Sequence, residues 1–208
     1  MLIKSIDVVL NNLTVSKPDK TVLIEHINLS LSKGDRLLIQ GHSGCGKSTL
    51  LRTIAGIWPF AQGEIILPKD KLPLCLSQKP YMPLGTLRDA IFYPRKPECS
   101  DQEICKLLED VGLKHLTQKL DVIDQWSHML SLGEQQRIAF LRALLIKPSL
   151  VFLDEVTSAL DEDNENMLYK MLIEKLPDCI VISIGHRNTL KAYHNRYFAI
   201  DKGSYRLS

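Results

Sequence analysis

Residues 41–49, GHSGCGKST, restrict this chain more than any other stretch. They read glycine, four residues, then Gly-Lys-Ser. DRLLIQ before them reads as a strand, and KSTLLRTIAGI after them spaces its apolar residues as a helix. A glycine-rich turn between strand and helix is a phosphate-binding unit in outline. Gly41, Gly44 and Gly46 let the backbone curl so that its N–H groups converge on phosphate oxygens. Through those amides His42, Ser43 and Cys45 count as binding residues too. Lys47 is placed to reach β- and γ-phosphates, Ser48 to offer its hydroxyl to magnesium, and Thr49 to reach the α-phosphate. Cys45 reads either as a small filler or as a thiol activated by the helix start.

A second signal lies at 150–155, LVFLDE, an apolar run that reads as a buried strand and ends in two carboxylates. Beside a phosphate loop, Asp154 is placed to hold magnesium and Glu155 to polarise a water attacking the γ-phosphate. A third is LSLGEQQR at 130–137, ahead of a helical run. Ser131 reads as an N-cap and Glu134 completes a capping box. A helix start is a ready anion site, yet this one has no lysine.

Organisation along the chain points to an α/β fold. IDVVL, TVLIEHINLSLS and DRLLIQ read as strands, with alternation in INLSLS marking a half-buried antiparallel one. GEIILP and LPLCLS are short strands joined through Lys69, Asp70 and Lys71. From about residue 81 to 130 the texture turns to short helices, TLRDAIFY, DQEICKLLEDVG and LKHLTQKL, with breaks at Pro94 and Pro97. That stretch reads as a helical lobe inserted into a core of 1–80 and 131–208. Then EDNENMLYKMLIEKL reads as a helix with one core stripe, CIVISIGH as a buried strand and YFAIDKGSYRLS as a closing hairpin. Strands alternating with helices predict a mainly parallel sheet.

A formal net charge of +2 gives no electrostatic footprint for nucleic acid. No apolar run approaches the roughly 20 residues needed to span a membrane, so a membrane role must come through a partner or through further sequence. The five cysteines form no Cys-x-x-Cys pair and no zinc spacing, which predicts free thiols. Trp58 and Trp126 read as packing residues, and His26, His42, His115, His128 and His194 as surface residues.

Taken in order, these motifs resemble the nucleotide-binding domain of the ATP-binding cassette family over essentially the whole of residues 1–208. LSLGEQQR is similar to that family's signature Leu-Ser-Gly-Gly-Gln, with Leu132 for the first glycine and Glu134 for the glutamine. Ser131 and Gly133, the phosphate-contacting pair by resemblance, are kept. SALD, residues 158–161, matches the loop after the catalytic acids and brings in Asp161. Gln78 matches the glutamine that reaches magnesium and the attacking water, and His186 matches the switch histidine at the γ-phosphate. GTLRDAIFYP, GIWPFAQGEI and the leucine in the signature look like subfamily D, a group of peroxisomal fatty-acyl transporters and bacterial relatives.

The resemblance implies the fold of that family: a phosphate-loop core with a mainly parallel sheet, an N-terminal antiparallel β part and an inserted helical part. It implies an ATPase with ATP and Mg2+, with Glu155 as base and Lys47, Gln78 and His186 around the reacting phosphate. Magnesium would lie at Ser48, Gln78 and Asp154. It further implies a head-to-tail homodimer, with Ser131, Gly133 and Glu134 reaching a neighbour's ATP. A transmembrane domain in the same longer chain or a separate subunit, on the cytoplasmic side of a bacterial inner membrane, would be the driven partner. Alternatives are a soluble cassette ATPase and a nucleotide-gated switch with little turnover. The stretch LTVSKPDKTVL lacks the aromatic on which most cassettes stack adenine, with Lys17 or Pro18 in its place. The expected substitute contacts are Val15 or Val22, and GTP stays open beside ATP.

Overall fold

The computed structural model describes residues 7–68, 73–95, 99–201 and 203–208. The Lys69–Lys71 link and the Pro97 break therefore lie outside the described residues, as does Ile6 of the first predicted strand. The described chain forms two compact units. The first holds the described residues within Met1–Cys75, Pro148–Glu155 and Pro177–Ser208; the second is Leu76–Lys147 and Val156–Leu176.

In the first unit, β1 (Val8–Ser16), β2 (Val22–Leu31) and β4 (Ala61–Ile66) make an antiparallel sheet in the order β2-β1-β4. Alternation does the sorting: Val8, Leu10, Leu13 and Val15 of β1 are buried, as are Ile24, Ile27, Leu29 and Leu31 of β2. The predicted strand IDVVL continues to Ser16 across register shifts near Asn12, whose φ of 48° breaks the alternation that a sequence scan follows.

The second sheet of this unit is built on β3 (Arg36–Gly41), β8 (Leu150–Asp154) and β9 (Ile180–Ile184), flanked by β10 (Arg196–Asp201) and β11 (Ser204–Leu207). With β5 (Leu74–Ser77) the order is β11-β10-β3-β9-β8-β5. β10, β3, β9 and β8 are mutually parallel, and β11 closes the edge as an antiparallel hairpin. Phe152, Leu150, Ile180 and Ile182 are fully buried, as an apolar run without alternation predicts. The helix α1 (Lys47–Ile54) packs on this sheet through Leu50, Leu51 and Ile54.

The second unit is mostly helical: α2 (Leu87–Phe92), α3 (Asp101–Asp110), α4 (Trp126–Met129), α5 (Leu132–Ile146) and α6 (Glu162–Lys175), with a 3-10 turn at Lys114–Lys119 and a two-residue ladder of β6 (Gly85–Thr86) on β7 (Ile123–Asp124). Thr86/Asp89 and Ser100/Glu103 close capping boxes on α2 and α3. α5 packs on α2 and α6 packs on α5, with Phe140 edge-on to Tyr169 at 5.6 Å. Sequence texture put a lobe at about 81–130; packing draws the second unit to include α5 and α6. Buried Arg142 of α5 donates to the carbonyls of Tyr81 and Ala90, and burial pushes its guanidinium down to about 10. Together these elements give the α/β architecture expected of the chain.

Trp126 is buried as expected, its indole N–H donating to the Gly85 carbonyl. His194 corrects the surface reading: it is buried, with Nδ1 2.7 Å from the Leu190 carbonyl and Nε2 2.8 Å from Ser183 Oγ. The carbonyl can only accept, so Nδ1 carries the proton and Nε2 accepts from the serine. Burial pushes the imidazole down to about 4 from its ordinary 6.5. Above pH 6.5 it is neutral folded or unfolded. Between 6.5 and 4 the unfolded chain alone takes up the proton, so stability falls as the pH drops through that window. The loss is expected to be about 2 kcal/mol at pH 5 and to reach roughly 3 kcal/mol only below pH 4. Urea unfolding at pH 7.5 and pH 5 should show it, and His194→Gln should flatten that part of the profile.

Candidate functional site

The parallel strands of the first unit set the site. Ile39 of β3 lies level with Ile184 of β9, and Ile184 with Asp154 of β8. The loop after β3, the acids ending β8 and Gly185–His186 after β9 therefore leave the sheet at one edge.

The loop 41–46 turns tightly onto α1. At Gly41, φ is 156° and a Cβ would lie 2.7 Å from Cys45 Sγ and 2.8 Å from the Ile200 carbonyl oxygen, so only glycine fits. Gly46, in the left-handed region, is the N-cap of α1. That helix start has no side-chain cap and no acid in its first turn, so its N–H groups and the positive end of its dipole face outward without a carboxylate to answer them. Lys47 is buried, and its ammonium donates to the carbonyls of Gly41 and His42 at 2.9 and 3.0 Å. Two of its three donors thus fix its direction over the loop.

Ser43, Gly44, Gly46, Lys47, Ser48 and Thr49 line a cavity of about 260 Å³ that Glu155 and His186 also border. Ser48 Oγ donates to Asp154 Oδ1 at 3.1 Å. Burial pushes the Asp154 carboxyl up, against the hydrogen bond from Ser48 and the charge of Arg52. His186 Nε2 is 2.9 Å from Glu155 Oε1; with an ionised carboxylate the ring nitrogen is the donor. Glu155 holds φ at 51°, a left-handed conformation rare outside glycine, while its N–H donates to the Ile184 carbonyl. Strain of this kind gathers at functional sites. Here it turns the carboxylate out of the strand toward His186.

Cys45 is placed differently from an exposed loop thiol: its side chain is buried in the core cluster. Val15 is also ruled out as a base contact, since it is fully buried between Ile24 and Ala61. Val22 borders a separate hollow with Glu25, His26 and Tyr205.

Gln78, Ser131, Gly133, Glu134 and Asp161 belong to the second unit. Ser131 caps α5 as predicted: its N–H and hydroxyl both donate to Glu134 Oε2, at 2.9 and 2.8 Å, and Glu134 N–H returns to Ser131 Oγ. Burial raises the Glu134 carboxyl, but the Ser131 hydrogen bonds and the nearby His115 and Arg137 outweigh it and hold the group below its ordinary range. Asp161 caps α6 through Asn164. Gln78 is exposed, and its carbonyl accepts from Gln136 Nε2 at 2.8 Å.

Gln136 is the residue that sequence reasoning missed. It is fully buried, donates to Gln78 O and Ser158 Oγ, and accepts from Ala159 N–H. One amide side chain therefore joins α5, the Gln78 segment and the SALD loop. Its i+3, i+4 and i+7 neighbours Ala139, Phe140 and Ala143 are all buried, and that stripe was the available signal.

Comparison with known proteins decides the family. The ABC transporter family matches residues 24–158. This chain belongs to the ABC transporter family. An ABC transporter ATP-binding protein of Haemophilus influenzae is 46% identical over 97% of the chain and 34% of its own length. ABC transporter D family member 2, chloroplastic, of Arabidopsis thaliana is 36% identical over 92% of the chain and 34% of its own. The human lysosomal cobalamin transporter ABCD4 is 37% identical over 89% and 33%. D-family members thus stand among the relatives, as the sequence resemblance implied, and the chain spans about a third of the length of these proteins. No helix among the described residues is long and apolar enough to cross a membrane.

Magnesium fits the residues present. Among the described residues no group of three or more His, Cys, Asp and Glu is arranged to hold a metal. A serine hydroxyl beside a carboxylate whose charge burial disfavours is the sparse oxygen set of an ion that takes its other ligands from phosphate and water.

Gln136→Leu should destabilise the chain by about 1–3 kcal/mol, because Gln78 O and Ala159 N–H lose a buried partner. Gln136→Glu should also destabilise, since a carboxylate cannot donate to Gln78 O. Thermal unfolding checks both.

Proposed function

We propose that this chain is the ATP-hydrolysing nucleotide-binding domain that powers an ABC membrane transporter. The observation that carries the reading is one cavity lined by an uncapped helix start, Lys47, Ser48 and the Glu155–His186 pair, with Asp154 accepting from Ser48 Oγ. Amides 41–49 and Lys47 hold the triphosphate, and Thr49 reaches its α-phosphate. Ser48 and Asp154 would hold magnesium, with Gln78 the further ligand that the family resemblance implies, and the ion would draw charge from the phosphate oxygens. Glu155 takes a proton from water as its oxygen bonds to the γ-phosphorus. The bond to the β-phosphate oxygen breaks, releasing ADP and phosphate. His186 holds the Glu155 carboxylate through its Nε2–H and offers that same N–H to the γ-phosphate once nucleotide is bound.

The second unit supplies Ser131, Gly133 and Glu134, with Asp161 in the following loop, to the ATP of a second copy packed head to tail. Such an isologous pair has two equal sites. Its closing and opening drives a transmembrane domain, carried in the same longer chain or as a separate subunit on the cytoplasmic side of a bacterial inner membrane. The sequence bounds of 81 and 130 for the helical lobe describe the part inserted into this single domain.

Lys47→Ala should abolish tight Mg-ATP binding in calorimetry, because a charge-assisted contact is lost. Glu155→Gln should slow phosphate release by roughly 10²–10⁴-fold and let an ATP-bound dimer persist through size exclusion. Adding Ser131→Arg should keep ATP bound but prevent the dimer. A dimer that survives the double change would mean that α5 does not read phosphate in trans.

A further inference from the structure

The cavity at the phosphate loop is lined by two kinds of group. Ser43, Lys47, Ser48, Glu155 and His186 give its lining polar and charged groups; Leu23 and Trp58 give it apolar ones, with Lys17 next in sequence to the Ser16 carbonyl that holds Trp58. Gly46 lies beside Leu23, since a Cβ there would lie 3.5 Å from Leu23 Cβ. Trp58 is half-buried and held from several sides. Its indole N–H donates to the Ser16 carbonyl at 2.9 Å, its backbone N–H donates to Arg52 O at 3.2 Å, and its ring meets Phe60 edge-on at 5.4 Å. These contacts fix the plane of the one Trp, Tyr or Phe ring among the described residues that line this cavity.

A nucleoside triphosphate carries a match for both kinds, an anionic phosphate chain and a flat π-face. We infer that Trp58 is the wall against which the nucleobase rests, with Leu23 and the methylene stem of Lys17 beside it. The inference rests on reading the phosphate loop as a triphosphate site. It adds to the packing expected of Trp58, which does lie against the core cluster. The ring comes from the segment after α1, not from residues 17–21 between β1 and β2, which hold no aromatic. Every base has a π-face, so such a wall adds affinity with little choice of base.

Calorimetry on the 208-residue chain with Mg-ATP, Mg-GTP and magnesium tripolyphosphate tests this. Trp58→Leu should weaken ATP and GTP alike by about 5- to 150-fold, leave tripolyphosphate within about twofold, and be largely rescued by Trp58→Phe. In a Trp126→Phe background, where Trp58 is the sole indole, ATP should quench the fluorescence and tripolyphosphate should not. Equal losses for tripolyphosphate, or unchanged ATP affinity in Trp58→Leu with no quenching, would overturn the base contact alone. A parent protein that binds neither ATP nor tripolyphosphate would overturn the phosphate-loop reading and this inference with it.

Discussion

Parallel pairing of β3, β9 and β8 places residues from three distant parts of the chain at one sheet edge. Strands that run the same way end on the same side. Their C-terminal ends therefore bring together a loop of amides after β3, two carboxylates at the end of β8 and an imidazole after β9. None of the three is near another in sequence. The register matters as much as the direction. Asp154 stands level with Ile184, so Glu155 comes opposite the Ile184 carbonyl and meets His186. A slip of one residue would carry the carboxylate away from its partner.

The two helix starts singled out by the sequence treat their unpaired N–H groups in opposite ways. α5 supplies its own acid: Glu134 folds back on Ser131, and His115 lies 3.0 Å from the same carboxylate. α1 supplies none, and its capping residue is a glycine that has no side chain to give. The lysine is found only at the start that lacks an acid. There a full positive charge adds to the dipole, whereas Glu134 already offsets the dipole of α5.

Much of this was legible in the residues. The strand–loop–helix unit, the buried runs LVFLD and IVISI and the Ser131/Glu134 box are local patterns, and local geometry produced them. What sequence could not show came from contacts between distant segments. His194 looks like any loop histidine until Leu190 and Ser183 close around it. Trp58 comes after a glycine turn and borders the phosphate loop only because the Ser16 carbonyl draws its indole N–H across. Val15 is hidden by pairing on both sides of β1. Gln136 is polar in a helix whose buried stripe was visible, but its partners at 78, 158 and 159 were not.

The placement of β3 has a consequence for the order of synthesis. Its neighbours are β9 and β10, so Leu37 must wait for Ile182 on one side and Arg196 on the other. A ribosome delivers the glycine loop about 140 residues before β9 and β10, the strands that flank β3. Until residues near Asp201 have emerged, β3 is a hydrophobic strand with both edges bare, the kind of segment that chaperones shield and that pairs wrongly with other nascent chains. The glycine loop is thus made well before the strands that hold it in place.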